Sequence, residues 1–281
     1  MNLFQETKFL MNKYNITANK NYGQNFLIDE NVVSGIVQNA EVSKKDLVIE
    51  IGPGLGTLTS YLLESAGKVI CIELDTHMLK ILNDRFSLYT NFELINDDVL
   101  KVDLKELISK NSEFENVKVV ANLPYYITTP IIMKLLEDKL NLTSITVMVQ
   151  KEVAERLTES PGSKNTGSIT YSINYYTNPK TVIDVPKESF IPSPKVDSSV
   201  IKLDILSEPK IKVLDEELFF KVIKCAFMQK RKTLINSLSN SGIGSKENLE
   251  KILTELELDL RVRAEQLTLE QFGMLSDKLK E

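Results

Sequence analysis

At residues 119–130 the chain reads VVANLPYYITTP, and four side chains there are equipped for chemistry: Asn122, Pro124, Tyr125 and Tyr126. The small apolar residues before them mark the end of a buried strand. An amide oxygen at a strand end accepts hydrogen bonds from an amine without carrying charge. Such an acceptor frees an aromatic exocyclic amine's lone pair, otherwise delocalised into its ring, and stabilises the positive charge that develops on attack. Pro124 fixes the turn, and Tyr125 offers a flat face on which a base can stack. Tyr126 suits core or pocket.

A second stretch, VIEIGPGLGTLT (48–59), follows a strand and opens a helix. Gly52, Gly54 and Gly56 allow a tight turn and a close backbone approach to a ligand. The spacing is GxGxG with Thr57 next, whereas a nicotinamide fingerprint wants its third glycine at 57. No phosphate-binding lysine follows, which excludes a P-loop. Glu73 ends the next strand about 20 residues on, where an acid accepts from ribose hydroxyls. Asp97 and Asp98 end the third strand, and an acid there can bond an adenine amino group. Each carboxylate alone is equally a helix N-cap. Together, at successive strand ends, they favour S-adenosylmethionine.

The elements that must position these residues are legible between 30 and 150. DLVIEIG, KVICIEL, NFELIND, VKVVANL and SITVMVQ read as strands, apolar almost throughout, which implies a parallel sheet covered on both faces. TLTSYLLESAG, DTHMLKILNDRF and TPIIMKLLEDKL carry helical spacing between them. The alternation predicts a doubly wound α/β sheet. KTVIDVP and DSSVIKLDIL, joined by a proline-rich segment, predict two further strands at a sheet edge. After residue 206 the pattern is helical. We expect a domain over 1–206, with an N-terminal extension over 1–30, and a small helical domain over 207–281.

Composition narrows the chemistry. The net charge is −5 over 281 residues, mildly against a nucleic-acid partner, yet residues 221–232 hold Lys221, Lys224, Lys230, Arg231 and Lys232 and no acid. A single histidine, His77, and two cysteines without a CxxC argue against a metal site. One histidine and no GxSxG leave little for a serine hydrolase. No apolar run reaches membrane-spanning length and no leader is visible, so the reading is cytoplasmic.

Three motifs resemble one family. NLPY is similar to the strand-end motif of S-adenosylmethionine-dependent amino-methyltransferases. NYGQNFLIDENVV (21–33) resembles the GQNFL box of ribosomal RNA adenine dimethyltransferases, and ESFIPSPKVDSSV (188–200) resembles that family's F-x-P-x-P-K-V-D-S box. FMQKRKTLINSL (227–238) is similar to a basic stretch of the same family, with Lys230 in place of an arginine. The resemblance spans essentially the whole chain. It implies a Rossmann-like methyltransferase sheet, with Asn122 and the carbonyl of Leu123 or Pro124 accepting from the adenine amine. It implies Tyr125 and Phe190 on the two faces of the base. It places Asn25 and Leu27 on the methionine side of the cofactor, with Gly52, Gly54, Glu73, Asp98 and Asn122 around the nucleoside and methyl.

The basic stretch reads as a helix that positions RNA by its phosphates, or as a solvated charged face. The resemblance implies an enzyme that dimethylates two adjacent adenines in the terminal hairpin loop of small-subunit rRNA, within a pre-30S particle. It implies four S-adenosylmethionine per RNA, no metal, no DNA and a monomer. A loop suits the chemistry because its bases are already partly unstacked. Two neighbouring readings are the erythromycin-resistance enzymes, whose motif is usually NIPY, and the DNA adenine methyltransferases, which need a larger recognition region. A ribosome-assembly factor and a nicotinamide oxidoreductase are the alternatives outside this chemistry.

Overall fold

The computed structural model describes residues 2–18, 24–229 and 231–281. Two compact units form, one from residues 1–154 and 180–205, the other from 155–179 and 206–281.

The first unit begins with helix α1 (Leu3–Lys13), strand β1 (Phe26–Leu27) and helix α2 (Glu30–Asn39). Strands β2 (Asp46–Ile51), β3 (Lys68–Glu73), β4 (Phe92–Asn96), β5 (Asn116–Asn122) and β6 (Ser144–Gln150) follow. They alternate with α3 (Thr57–Ser65), α4 (Thr76–Phe86), α5 (Leu104–Ser109) and α6 (Thr128–Glu137). Helices α7 (Lys151–Thr158) and α8 (Ser168–Tyr176) lead into β7 (Thr177–Val185), β8 (Phe190–Ile191) and β9 (Ser198–Ile205). The sheet order is β4-β3-β2-β5-β6-β9-β7. The pairings among β2–β6 are all parallel, and β9 lies antiparallel to β6. This is the expected doubly wound sheet with its two late strands at one edge, β9 lying inside β7.

Every residue of β2 is buried, as a strand covered on both faces requires. Parallel register sets Ile49 beside Val119, Ile51 beside Ile72 and Glu73 beside Asn96. The carboxyl ends of β2, β3, β4 and β5 therefore share one edge, and the loops carrying the candidate site leave from it.

Carboxyl groups are buried in this unit at Asp46, Glu50, Glu73 and Asp75. Glu50, 2% exposed, accepts from the Thr59 hydroxyl at 2.6 Å and lies 3.4 Å from the Cys71 sulfur. Burial pushes its pKa up to about 7, against the lowering effect of the Thr59 and Cys71 hydrogen bonds and with a further push from the Glu73 charge.

The second unit is helical: α9 (Glu216–Phe227), α10 (Leu234–Asn240), α11 (Lys246–Glu255) and α12 (Leu269–Lys280) join α8 around one core. Here the expected contiguous boundary needs correction. Residues 155–179 belong with the helical tail, because Tyr171 and Tyr175 are core residues of that unit. Tyr171 meets Phe272 edge-on at 4.9 Å and Phe227 at 5.4 Å. Its hydroxyl donates to the carbonyls of Leu267, at 2.7 Å, and Ala264, at 3.2 Å. A sequence window around Tyr171 shows apolar helical residues but not their partners some 90 positions away.

The basic stretch also differs from expectation. It is not one helix: α9 ends at Phe227, Met228, Gln229, Arg231 and Lys232 lie in turns and bends, and Thr233 caps α10 by accepting from the Asn236 N–H. Lys221 and Lys224 lie on α9, Arg231 and Lys232 in the turn, and Lys230 lies outside the described residues. No glycine or proline announces the break; the cap does.

Two stability measurements test this packing. Glu50 holds its proton more tightly folded than unfolded, so its contribution is fully present below the unfolded value of 4.5 and is lost as pH rises through about 7. Denaturant titrations at pH 5 and pH 8 should lose up to roughly 3 kcal/mol from this source, and Glu50→Gln should remove that part of the slope. Tyr171→Phe should destabilise the helical unit by about 1–2 kcal/mol, since both carbonyls lose a donor in a dry core.

Candidate active site

The glycine turn after β2 is tightly determined. Gly52 N–H donates to the Ile72 carbonyl at 2.9 Å, extending the ladder by one residue, and Gly56 N–H closes the turn on the Pro53 carbonyl. Gly54 and Gly56 have φ of +57° and +79°, a region that side chains disfavour. A Cβ on Gly56 would sit 2.4 Å from the Phe86 ring, so this glycine serves packing as well as turning. Gly54 N–H points at the Glu73 carboxylate, 3.1 Å away.

A cleft opens over this turn in two parts. One is lined by Asn25, Leu27, Glu50, Gly52, Asn122 and Tyr125 among others. The other is an apolar slot between Ile72, Val99 and Ile127 with Glu73, Asp97 and Asp98 at its margin. Gln24, Gly52, Gly54 and Pro124 line both parts.

Glu73 is buried, 6% exposed. Burial raises its pKa, against the N–H groups of Asp75 and Gly54 that hydrogen-bond its carboxylate. Asp98 Oδ1 accepts from the Leu100 N–H at 3.0 Å, which fixes the loop after β4. Two residues not anticipated from sequence join the set. Asp75 accepts from the Gln24 side-chain amide at 2.9 Å and from the His77 N–H. Burial pushes Asp75 upward, but hydrogen bonds from His77 and Gln24 outweigh it and hold the carboxyl below the ordinary range. Glu50 lines the cleft; an acid flanked by isoleucines in DLVIEIG is the sequence signal.

The NLPY loop meets the cleft where its two parts join. Asn122 Nδ2 donates to the Asn25 carbonyl at 3.4 Å, which turns its Oδ1 away from that carbonyl. Leu123 is buried, and its N–H donates to the Met148 carbonyl. The Pro124 carbonyl already accepts from Ile127 N–H and Thr128 Oγ1, both at 3.2 Å. Tyr125 is half-buried, its hydroxyl 2.7 Å from Ser198 Oγ. Burial pushes its phenol above the ordinary value, against the lowering effect of the Ser198 hydrogen bond. Tyr126 is 55% exposed and borders the apolar slot.

Phe190 departs from expectation. It pairs in register with Leu27, is 2% exposed and belongs to the core cluster with Phe26, Val185 and Val200. It lines neither part of the cleft, and its strand pairing with Leu27 helps hold the Asn25–Leu27 segment. Gly23 of the GQNFL box lies outside the described residues.

The residues fit an adenosine-type cofactor. A flat apolar slot accepts a base, Glu73 and the aspartates accept from amino and hydroxyl groups, and the glycine turn permits close approach. Among the described residues no three acidic, histidine or cysteine side chains are grouped to hold a metal ion.

The comparisons agree. The family model described as Ribosomal RNA adenine dimethylase matches residues 15–281. A Ribosomal RNA small subunit methyltransferase A from Alkaliphilus oremlandii is 47% identical over 98% of this chain and 96% of its own length. One from Clostridium botulinum is 51% identical over 96% and 97%. Among solved structures, a dimethyladenosine transferase from Plasmodium falciparum aligns with a TM-score of 0.73 at 27% identity, covering 89% of this chain and 95% of that one. The 23S rRNA methyltransferase ErmE aligns at 0.70 and 25% identity, over 92% and 100%. With a parallel sheet, a glycine turn and an NLPY loop at one cleft, and a profile match over nearly its whole length, this chain belongs to the ribosomal RNA adenine dimethylase family.

Proposed function

We propose that the protein is an S-adenosylmethionine-dependent dimethyltransferase of two adjacent adenines in the terminal hairpin loop of small-subunit rRNA, adding four methyl groups within a pre-30S particle. The observation that carries the mechanism is the tether of Asn122 Nδ2 to the Asn25 carbonyl. It commits the amide nitrogen and leaves the oxygen as the acceptor for the adenine N6 amine. Because the Pro124 carbonyl is engaged twice within its own turn, the Leu123 carbonyl supplies the second acceptor. Two acceptors in this geometry localise the nitrogen lone pair and stabilise the cation that forms. Tyr125, held by Ser198, stacks on the base and aligns it. S-adenosylmethionine supplies an electrophilic methyl group. Glu73 and Asp98 hold its ribose and base, while Asn25, Leu27, Gly52 and Gly54 line the remainder. Positioning supplies most of the acceleration, and no strong base is required.

The helical unit supplies the RNA contacts. Lys221, Lys224, Arg231 and Lys232 are exposed. The Leu234 N–H donates to the Val262 carbonyl at 2.8 Å, which sets Arg261 and Arg263 beside the Arg231–Lys232 turn. Such a patch holds phosphates without reading sequence, so recognition rests on the folded particle. The protein acts as a cytoplasmic monomer; no helix among the described residues is long and apolar enough to cross a membrane.

Nucleoside mass analysis of unmodified small subunits, with large subunits run alongside, each incubated with protein and S-adenosylmethionine, should reveal dimethyladenosine in the small-subunit RNA. Asn122→Ala should lower kcat by about 10²–10³ while the particle still binds. Methyl appearing only in large-subunit RNA would move the chain to the resistance-enzyme branch. Particle binding without any methylation by the wild type would favour an assembly factor. Replacing Arg231 and Lys232 by Ala should weaken particle binding and reduce the log–log salt slope by about 1 per residue, leaving cofactor affinity unchanged.

A further inference from the structure

Helix α1 contributes no residue to either part of the cleft, yet it is wired to the glycine turn through a partly buried cation. Arg85 stands in the last turn of α4 with 14% of its side chain exposed, and its Nη2 meets Glu6 of α1 at 2.6 Å. Its other terminal nitrogen, Nη1, donates to the carbonyl of Leu55, the residue between Gly54 and Gly56. Leu55 is 1% exposed and lines the cleft. A second tie runs parallel to the first: the Tyr14 hydroxyl, one residue past α1, donates to Asp84 at 3.0 Å. Below the guanidinium, Phe86 and Leu82 are the atoms that a Cβ on Gly56 would strike, so the end of α4 is the floor on which the turn rests.

A guanidinium suits this place. Its planar fork bonds a carboxylate on one side and a carbonyl on the other, which a lysine ammonium on a flexible stem does less well. Burial lowers the Arg85 pKa and the Glu6 charge opposes that effect, so removing Glu6 leaves a poorly solvated cation and not a free surface group.

We infer that Arg85 is a positioning residue for the cofactor: with Glu6 it clamps the Leu55 carbonyl, and docking of α1 thereby sets how well the glycine turn is formed to receive S-adenosylmethionine. The inference rests on the proposed seat of the cofactor over that turn. Energetic coupling between two sites is reciprocal, so cofactor binding must tighten α1 as much as α1 tightens cofactor binding.

The test is calorimetric titration of the full-length protein with S-adenosylhomocysteine, paired with steady-state kinetics on small subunits. Arg85→Met should raise the cofactor Kd and KM at least fivefold, with kcat at saturating cofactor within twofold of the wild type. Glu6→Gln should shift both in the same direction by less, and Arg85→Lys should recover part of the loss. The double variant should be no worse than Arg85→Met, because both substitutions open one chain of contacts. Glu73→Ala runs alongside. If Glu73→Ala weakens binding while folded Arg85→Met and Glu6→Gln do not, the clamp is overturned. If none of the three shifts Kd, the cofactor seat itself is elsewhere and both readings fail. Should Arg85→Met not fold, hydrogen exchange on the wild type decides: the amides of residues 6–13 should exchange more slowly with S-adenosylhomocysteine bound, and unchanged exchange overturns the proposal.

Discussion

Parallel pairing of β2, β3, β4 and β5 is the constraint from which the candidate site follows. Parallel strands need crossover helices, and those helices cover both faces of the sheet. Every loop from a strand's carboxyl end to the next helix then leaves from one edge. Gly52, Glu73, Asp98 and Asn122 are far apart in sequence, yet each sits within a residue or two of such an end. The Gln24–Leu27 segment joins them separately, held by the pairing of β1 with β8. What remains for individual side chains is orientation, and the tethers of Asn122 to Asn25, Tyr125 to Ser198 and Gly54 to Glu73 provide it.

The sheet buries polar groups at the cleft as it does elsewhere, where Lys118 pairs with the fully buried Asp46 at 2.8 Å. Glu50 and Glu73 are buried on adjacent strands, each answered by specific donors and each held above the ordinary carboxyl range by desolvation. An unpaired carboxylate at such depth would be costly. Their partners are therefore part of the fold as much as of the site: Thr59 on α3, the backbone of the glycine turn and the backbone after β3.

How far the sequence could be read varies with the range of the interaction. The five parallel strands were legible because burial on both faces leaves unbroken apolar runs. The glycine turn and NLPY were legible because their chemistry lies within a few consecutive residues. Phe190 is hard to place from sequence, because a phenylalanine in a proline-rich loop looks the same whether its ring faces a ligand or pairs across Leu27 into the core. The basic stretch was taken for one helix because a Thr cap interrupts it more quietly than a proline does. Arg85 was invisible for a different reason: its partners, Glu6 and Leu55, lie 79 and 30 residues away.

The helical unit is assembled from two separated lengths of chain, and this has a consequence for the order in which the protein can be made. Tyr171 is synthesised 93 residues before Ala264 and 96 before Leu267, the two carbonyls that take its hydroxyl proton. A ribosome that has released the whole parallel sheet still holds α8 without its core partners Phe219, Phe227 and Phe272. During that interval Tyr171 and Tyr175 present apolar surface. Phe219 and Phe227 on α9 cover part of that surface first, and Phe272 on α12 completes it. The sheet unit can consolidate early from contacts between neighbouring strands, whereas the helical unit waits for α12 and closes last, with a loop-closure cost set by that long separation.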